Sequence, residues 1–131
     1  MANTLKLKLQ NFSEAIATLK QAVDQKENEF IKDSIIKRFE YSFELCWKTA
    51  KIMLSEKFGV DVYSPKECFR ELRKNQLISD KDTEIFLQMT DDRNEVIHTY
   101  NQKFADELSE KIKKVYFRLL KNILEILKKQ I

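Results

Sequence analysis

The chain has 131 residues, about one third of them charged, and a formal net charge of +3. It contains one glycine and one proline, which argues against an all-β fold and excludes any glycine-rich phosphate loop, because Rossmann and P-loop fingerprints need several glycines at fixed offsets. What remains is long helices with few turns: an all-α fold, an up-and-down bundle of four main helices plus one short helix, with residues 1–131 as a single domain.

In chain order, Leu5, Leu9, Phe12, Ile16, Leu19 and Val23 recur at three- and four-residue spacing and predict a first amphipathic helix. The polar stretch Asp24 to Glu29 predicts a turn. Ile35, Ile36, Phe39, Phe43, Cys46, Trp47, Ala50 and Leu54 carry the helical period on, so a second helix is expected from about Ile31 to Lys57, with Gly59 at its C-cap. Ser64, Pro65 and Glu67 have the order of an N-cap, N1 and N3, and start a short third helix ending near Asn75. A fourth helix starts at Ser79 or Asp80, with Ile85, Met89 and Val96 on one face. A last helix starts near Phe104, with Leu108, Ile112, Val115, Leu119, Ile123 and Ile126 along its stripe.

Cys46 and Cys68 lie far apart with no second cysteine or histidine near either to build a zinc site, and both are read as reduced thiols of a cytoplasmic protein, Cys46 in the core. No apolar run approaches the length of a membrane span, so no membrane partner is expected. Residues 103–131 carry eight Lys or Arg against four acids. That surplus suits a polyanion, and it is also what a solvated helix face carries.

The stretch Arg93-Asn94-Glu95-Val96-Ile97-His98-Thr99-Tyr100 holds the only histidine. Histidine exchanges protons near neutral pH, arginine is the cation best shaped for phosphate, and a tyrosine hydroxyl can be modified. The trio suits chemistry on a phosphodiester. On a continuous helix, however, Arg93 and His98 point about 140° apart. They converge on one ligand only if the helix ends or distorts near His98, or if a second subunit supplies the missing group. Attack by an RNA 2′-hydroxyl needs a general base, and departure of the 5′-oxygen needs a general acid. A two-fold dimer would supply two histidines and two arginines, with no metal or cofactor required. The bland alternatives are a histidine that closes a helix end and an arginine that pairs with acids. Asp91 and Asp92 make a weak metal site, because adjacent carboxylates on a helix point in different directions.

This motif resembles the signature of HEPN domains paired with minimal nucleotidyltransferases: Arg, a polar residue, three more, His, any residue, Tyr. Arg38-Phe39-Glu40-Tyr41-Ser42-Phe43-Glu44-Leu45-Cys46-Trp47-Lys48 is similar to the second helix of that family, and Ser64-Pro65-Lys66-Glu67 with Arg70-Glu71 to a later segment. The likeness runs from about Asn11 to Leu127 and is nearest to the subgroup described as nucleotidyltransferase substrate-binding proteins. The resemblance implies an all-α homodimer with the motif at the subunit interface. It further implies a metal-independent endoribonuclease toxin held inactive by a cognate minimal nucleotidyltransferase antitoxin. Carried over, Arg93 binds phosphate, His98 is the acid/base residue, Asn94 is the supporting polar residue and Tyr100 accepts AMP. The alternative is a non-catalytic subunit that presents an RNA or nucleotide substrate to a separate nucleotidyltransferase. The chain lacks the Gly-Ser and paired-Asp motif of a nucleotidyltransferase and is not that enzyme itself.

Overall fold

The computed structural model describes residues 2–98 and 101–131. Helix α1 (Ala2–Val23) and helix α2 (Glu29–Phe58) form an antiparallel pair. Their register is pinned where Arg38 Nη1 donates to the Thr18 carbonyl at 2.6 Å and where the Thr49 hydroxyl donates to the Lys8 carbonyl at 3.4 Å. Asn28 caps α2 by accepting the Ile31 amide at 2.9 Å. At its other end Gly59 adopts φ +66°, and its N–H closes on the Leu54 carbonyl. A methyl group at position 59 would meet nothing within 4 Å. Its cost is therefore backbone strain alone, and Gly59→Ala is expected to lower unfolding stability by about 1–2 kcal/mol in a denaturant titration.

Helix α3 (Pro65–Lys74) starts as its sequence predicts. The Ser64 hydroxyl accepts the Glu67 amide, and the Glu67 carboxylate accepts the Tyr63 amide. Helix α4 (Asp80–His98) follows, capped by the Ser79 hydroxyl on the Asp82 amide at 3.0 Å. The last rod has three parts: α5 (Gln102–Lys111), a π-helical turn (Ile112–Tyr116) and α6 (Phe117–Lys128). It starts at Gln102 rather than Phe104, because the Asn101 side chain accepts the Phe104 amide at 3.1 Å. The π turn holds an extra residue and turns the helix face, so Tyr116 is buried while Val115 stays half-buried.

The helices bury one shared core with contributions from every element. At its centre runs a chain of rings: Tyr116 on Phe39 (5.8 Å between centroids), Phe39 by Phe43 (6.3 Å), Phe43 by Phe69 (5.9 Å) and Phe69 on Phe86 (4.6 Å). These contacts tie α2, α3, α4 and the π turn together and hold α4 in register against α2. Cys46 and Cys68 are buried free thiols, and burial pushes both away from the reactive thiolate form, Cys68 up to about 12. No helix of the described residues is long and apolar enough to cross a membrane.

Candidate functional site

Helix α4 runs antiparallel to α2. Arg93 faces Phe43 and Glu44, and Val96, one turn on, faces Ile36 and Glu40. The Arg93 guanidinium lies 4.8 Å above the Phe43 ring, and its Nη1 is 3.0 Å from Glu44 Oε2. Only 15% of the Arg93 side chain is exposed. Its Nε is buried and has no acceptor. The acid that Arg93 pairs with is thus neither Asp91 nor Asp92 but Glu44 on another helix, and Arg93 is as much a packing residue as a surface cation.

Glu44 is the hub of this contact. It also accepts from Trp47 Nε1 at 3.2 Å and pairs with Lys48 Nζ at 3.0 Å. Burial alone would raise its pKa. The hydrogen bonds from Lys48 and Trp47, with the charges of Lys48 and Arg93, outweigh burial and hold the carboxyl below its ordinary value. Glu40, one turn back, is pushed up by burial against the opposing pull of Lys37 and Arg93. Asp33, Ile36, Lys37, Glu40 and Val96 line a groove of about 190 Å³ beside Arg93.

His98 is the last residue of α4 and is exposed. Asn94 is exposed as well. The helix runs unbroken through residues 93–98, so within one chain Arg93 and His98 do not converge. Tyr100, the expected modification acceptor, lies outside the described residues, as does Thr99. Among the described residues no three His, Cys, Asp or Glu side chains cluster to hold a metal ion.

Asp91 and Asp92 do point apart. Asp91 is exposed and pairs with Lys66 of α3 at 2.6 Å. Asp92 is 5% exposed and is a structural residue that sequence reasoning missed. The Tyr116 hydroxyl donates to it at 2.5 Å, Lys111 Nζ lies 3.4 Å away and Gln88 Nε2 donates at 3.0 Å. Burial, then the bond and charge of Asp92, push the Tyr116 phenol upward and keep it a donor. Tyr116→Phe removes the one donor to Asp92 that is itself buried. It is expected to lower stability by about 1.5–3 kcal/mol, read as a drop in the melting temperature. This carboxylate knots α4 to the π turn about 100° around the helix from Arg93, and the two contacts together fix the rotation of α4 about its axis.

Three comparisons bear on this arrangement. The sequence matches the family described as nucleotidyltransferase substrate binding protein like over residues 7–129. Among solved structures, a protein from Thermus thermophilus superposes with a TM-score of 0.83 at 35% identity, covering 89% of this chain and 98% of that one. A tri-AMPylated Shewanella oneidensis HEPN toxin, solved in complex with MNT antitoxin, superposes with a TM-score of 0.80 at 17% identity, covering 98% and 99%. A toxin–antitoxin structure with AMP-PNP gives 0.77 at 18% identity, covering 97% and 99%. At such identities the last two speak for the fold, which is that of HEPN toxins. A sequence comparison with curated proteins finds no match.

Proposed function

Since the chain belongs to the nucleotidyltransferase substrate binding protein like family, we propose that it is a HEPN-type endoribonuclease toxin that cleaves RNA without a metal and is held inactive by a cognate minimal nucleotidyltransferase. One observation carries this reading. The sole histidine sits exposed at the last position of α4, about one and a half turns past an arginine whose guanidinium is already desolvated and oriented on Phe43. A fixed, partly desolvated cation and an exposed imidazole are the two kinds of group that phosphodiester cleavage asks for.

Because the two groups point apart within one chain, the working site is a homodimer that brings two copies of the α4 end together. One His98 then acts as base toward the 2′-hydroxyl and the other as acid toward the departing 5′-oxygen. The Arg93 pair meets the charge that grows on phosphorus, and Asn94 supports the substrate. Tyr100 follows His98 by two residues, and an adenylyl group on its hydroxyl would add bulk and negative charge where the RNA phosphate must sit.

A second reading has its own observation. Glu44 already occupies Arg93, which favours a non-catalytic subunit that presents an RNA or nucleotide substrate to the nucleotidyltransferase. Incubating the purified protein with RNA in EDTA, beside His98→Ala, separates the two. The toxin reading expects fragments from the parent only, whereas intact RNA in both lanes supports the binding subunit.

A further inference from the structure

Glu44, Trp47, Lys48 and Lys51 fall at intervals of three and four and share one face of α2, the face that meets Arg93. Beyond Lys48 this face changes character. Lys51 Nζ stands 5.5 Å from the ring centre of Tyr63 and 5.9 Å from that of Trp47. Among the described residues Lys51 forms no ion pair. Tyr63 is 76% exposed. It precedes the α3 N-cap, and its own amide is tied to Glu67, so its backbone is anchored while its ring is open to solvent. Lys66, three residues on, leans across to α4 and pairs with Asp91.

We propose that Tyr63, Trp47 and Lys51 form a stacking platform for a base of single-stranded RNA, and that the strand runs from there along α2 to the Arg93–His98 site. This rests on the RNA reading above and names how that substrate is held. An exposed, backbone-anchored aromatic ring offers any base a π-face, and a cation without a carboxylate beside it offers the backbone a phosphate contact. The acids next to the platform already have partners: Glu44 has Arg93, Lys48 and the Trp47 indole N–H, and Glu67 has the Tyr63 amide. From Lys51 to Glu44 the helix rises about 10 Å, and Arg93 lies across from Glu44. His98 lies further along the same direction, because α4 runs antiparallel to α2. The platform, Lys48 and the motif therefore follow one another in that order along α2. A protein-docking surface is less well matched, since the Tyr63 ring is open to solvent and a charge spans it and the half-buried Trp47.

The test is fluorescence anisotropy of an end-labelled, short oligoadenylate RNA in EDTA. The full chain carries His98→Ala so that the strand survives. A strand of equal length without bases serves as the second probe. Tyr63→Ala is expected to weaken binding of the base-bearing strand about ten-fold and to leave the baseless strand unchanged. Tyr63→Phe should bind as the parent does. Lys51→Gln should weaken both strands and flatten the dependence on salt. Because Tyr63 is exposed, thermal melting should not move in either Tyr63 variant. Equal affinity of Tyr63→Ala and parent for oligoadenylate, in a protein that binds and cleaves RNA, overturns the platform and leaves the toxin reading intact. No binding of either strand by any form, with no cleavage by the parent, overturns the RNA reading and the platform with it. Loss of the co-expressed nucleotidyltransferase from Tyr63→Ala, with RNA affinity unchanged, assigns the surface to that partner instead and also overturns the proposal.

Discussion

His98→Ala is expected to lower RNA cleavage on the order of a hundred- to ten-thousand-fold while leaving the melting temperature where it was. The first half follows from the chemistry. The chain has one histidine, and removing a positioned proton donor or acceptor typically costs a factor in that range. In a dimer, one substitution removes the base and the acid together, so the upper part of the range is the expected one. The second half follows from the structure. The imidazole is exposed at the last residue of α4, and the core that holds this helix, through Phe86, Met89 and Asp92, lies further back along it. Initial cleavage rates beside thermal melts of both proteins decide the matter. A variant that cleaves as well as its parent removes His98 from the mechanism. A large fall in melting temperature gives it a structural role.

Arg93→Ala is expected to behave differently, and the difference is informative. Cleavage should fall by about a hundred- to a thousand-fold, the usual cost of a lost charge-stabilising donor. Stability should fall too, by about 1–2 kcal/mol, because the side chain is largely buried over Phe43 and closes the α2–α4 contact through Glu44. Arg93→Lys separates the two effects. It keeps a cation near Glu44 but loses the planar fork, so it should regain much of the stability and little of the rate. Steady-state rates and denaturant midpoints for the two variants check this. Full activity in Arg93→Ala would make the residue a packing element alone.

Much of the fold was legible because helix ends announce themselves locally. Ser64-Pro65 and Gly59 act within four residues and cap where the sequence places them, whereas Asn28 and Asn101, which start α2 and α5 ahead of their apolar stripes, were missed. The apolar stripes of the first two helices likewise name residues that are buried, except Val23 and Trp47, which are half-buried. The π turn was not legible, because a period of 3.6 residues has no place for an extra one. The stripe therefore favoured Val115 where Tyr116 turns inward. Asp92 was illegible for the same reason. It reads as one of two adjacent acids on a solvated helix until Tyr116, 24 residues later, is brought to it through the π turn.

At the candidate site the positions of Arg93 and His98 along α4 could be read from the sequence, including the angle between them. The partner of Arg93 could not. Glu44 lies 49 residues away, and nothing in either helix states how α2 and α4 are offset. A signal did exist, since Phe43, Glu44, Trp47 and Lys48 sit in the α2 segment that carries the family resemblance.

The central claim is that RNA is cut by its own 2′-hydroxyl with His98 moving the protons. It is tested most directly by identifying the ends of the fragments released in EDTA, using an RNA and a copy carrying 2′-deoxy sugars at the cleaved positions. The account predicts 5′-hydroxyl fragments paired with cyclic phosphates from the first RNA, no cleavage of the second, and no fragments from either with His98→Ala. Fragments with 5′-phosphate ends, or equal cleavage of the deoxy-substituted strand, would contradict it.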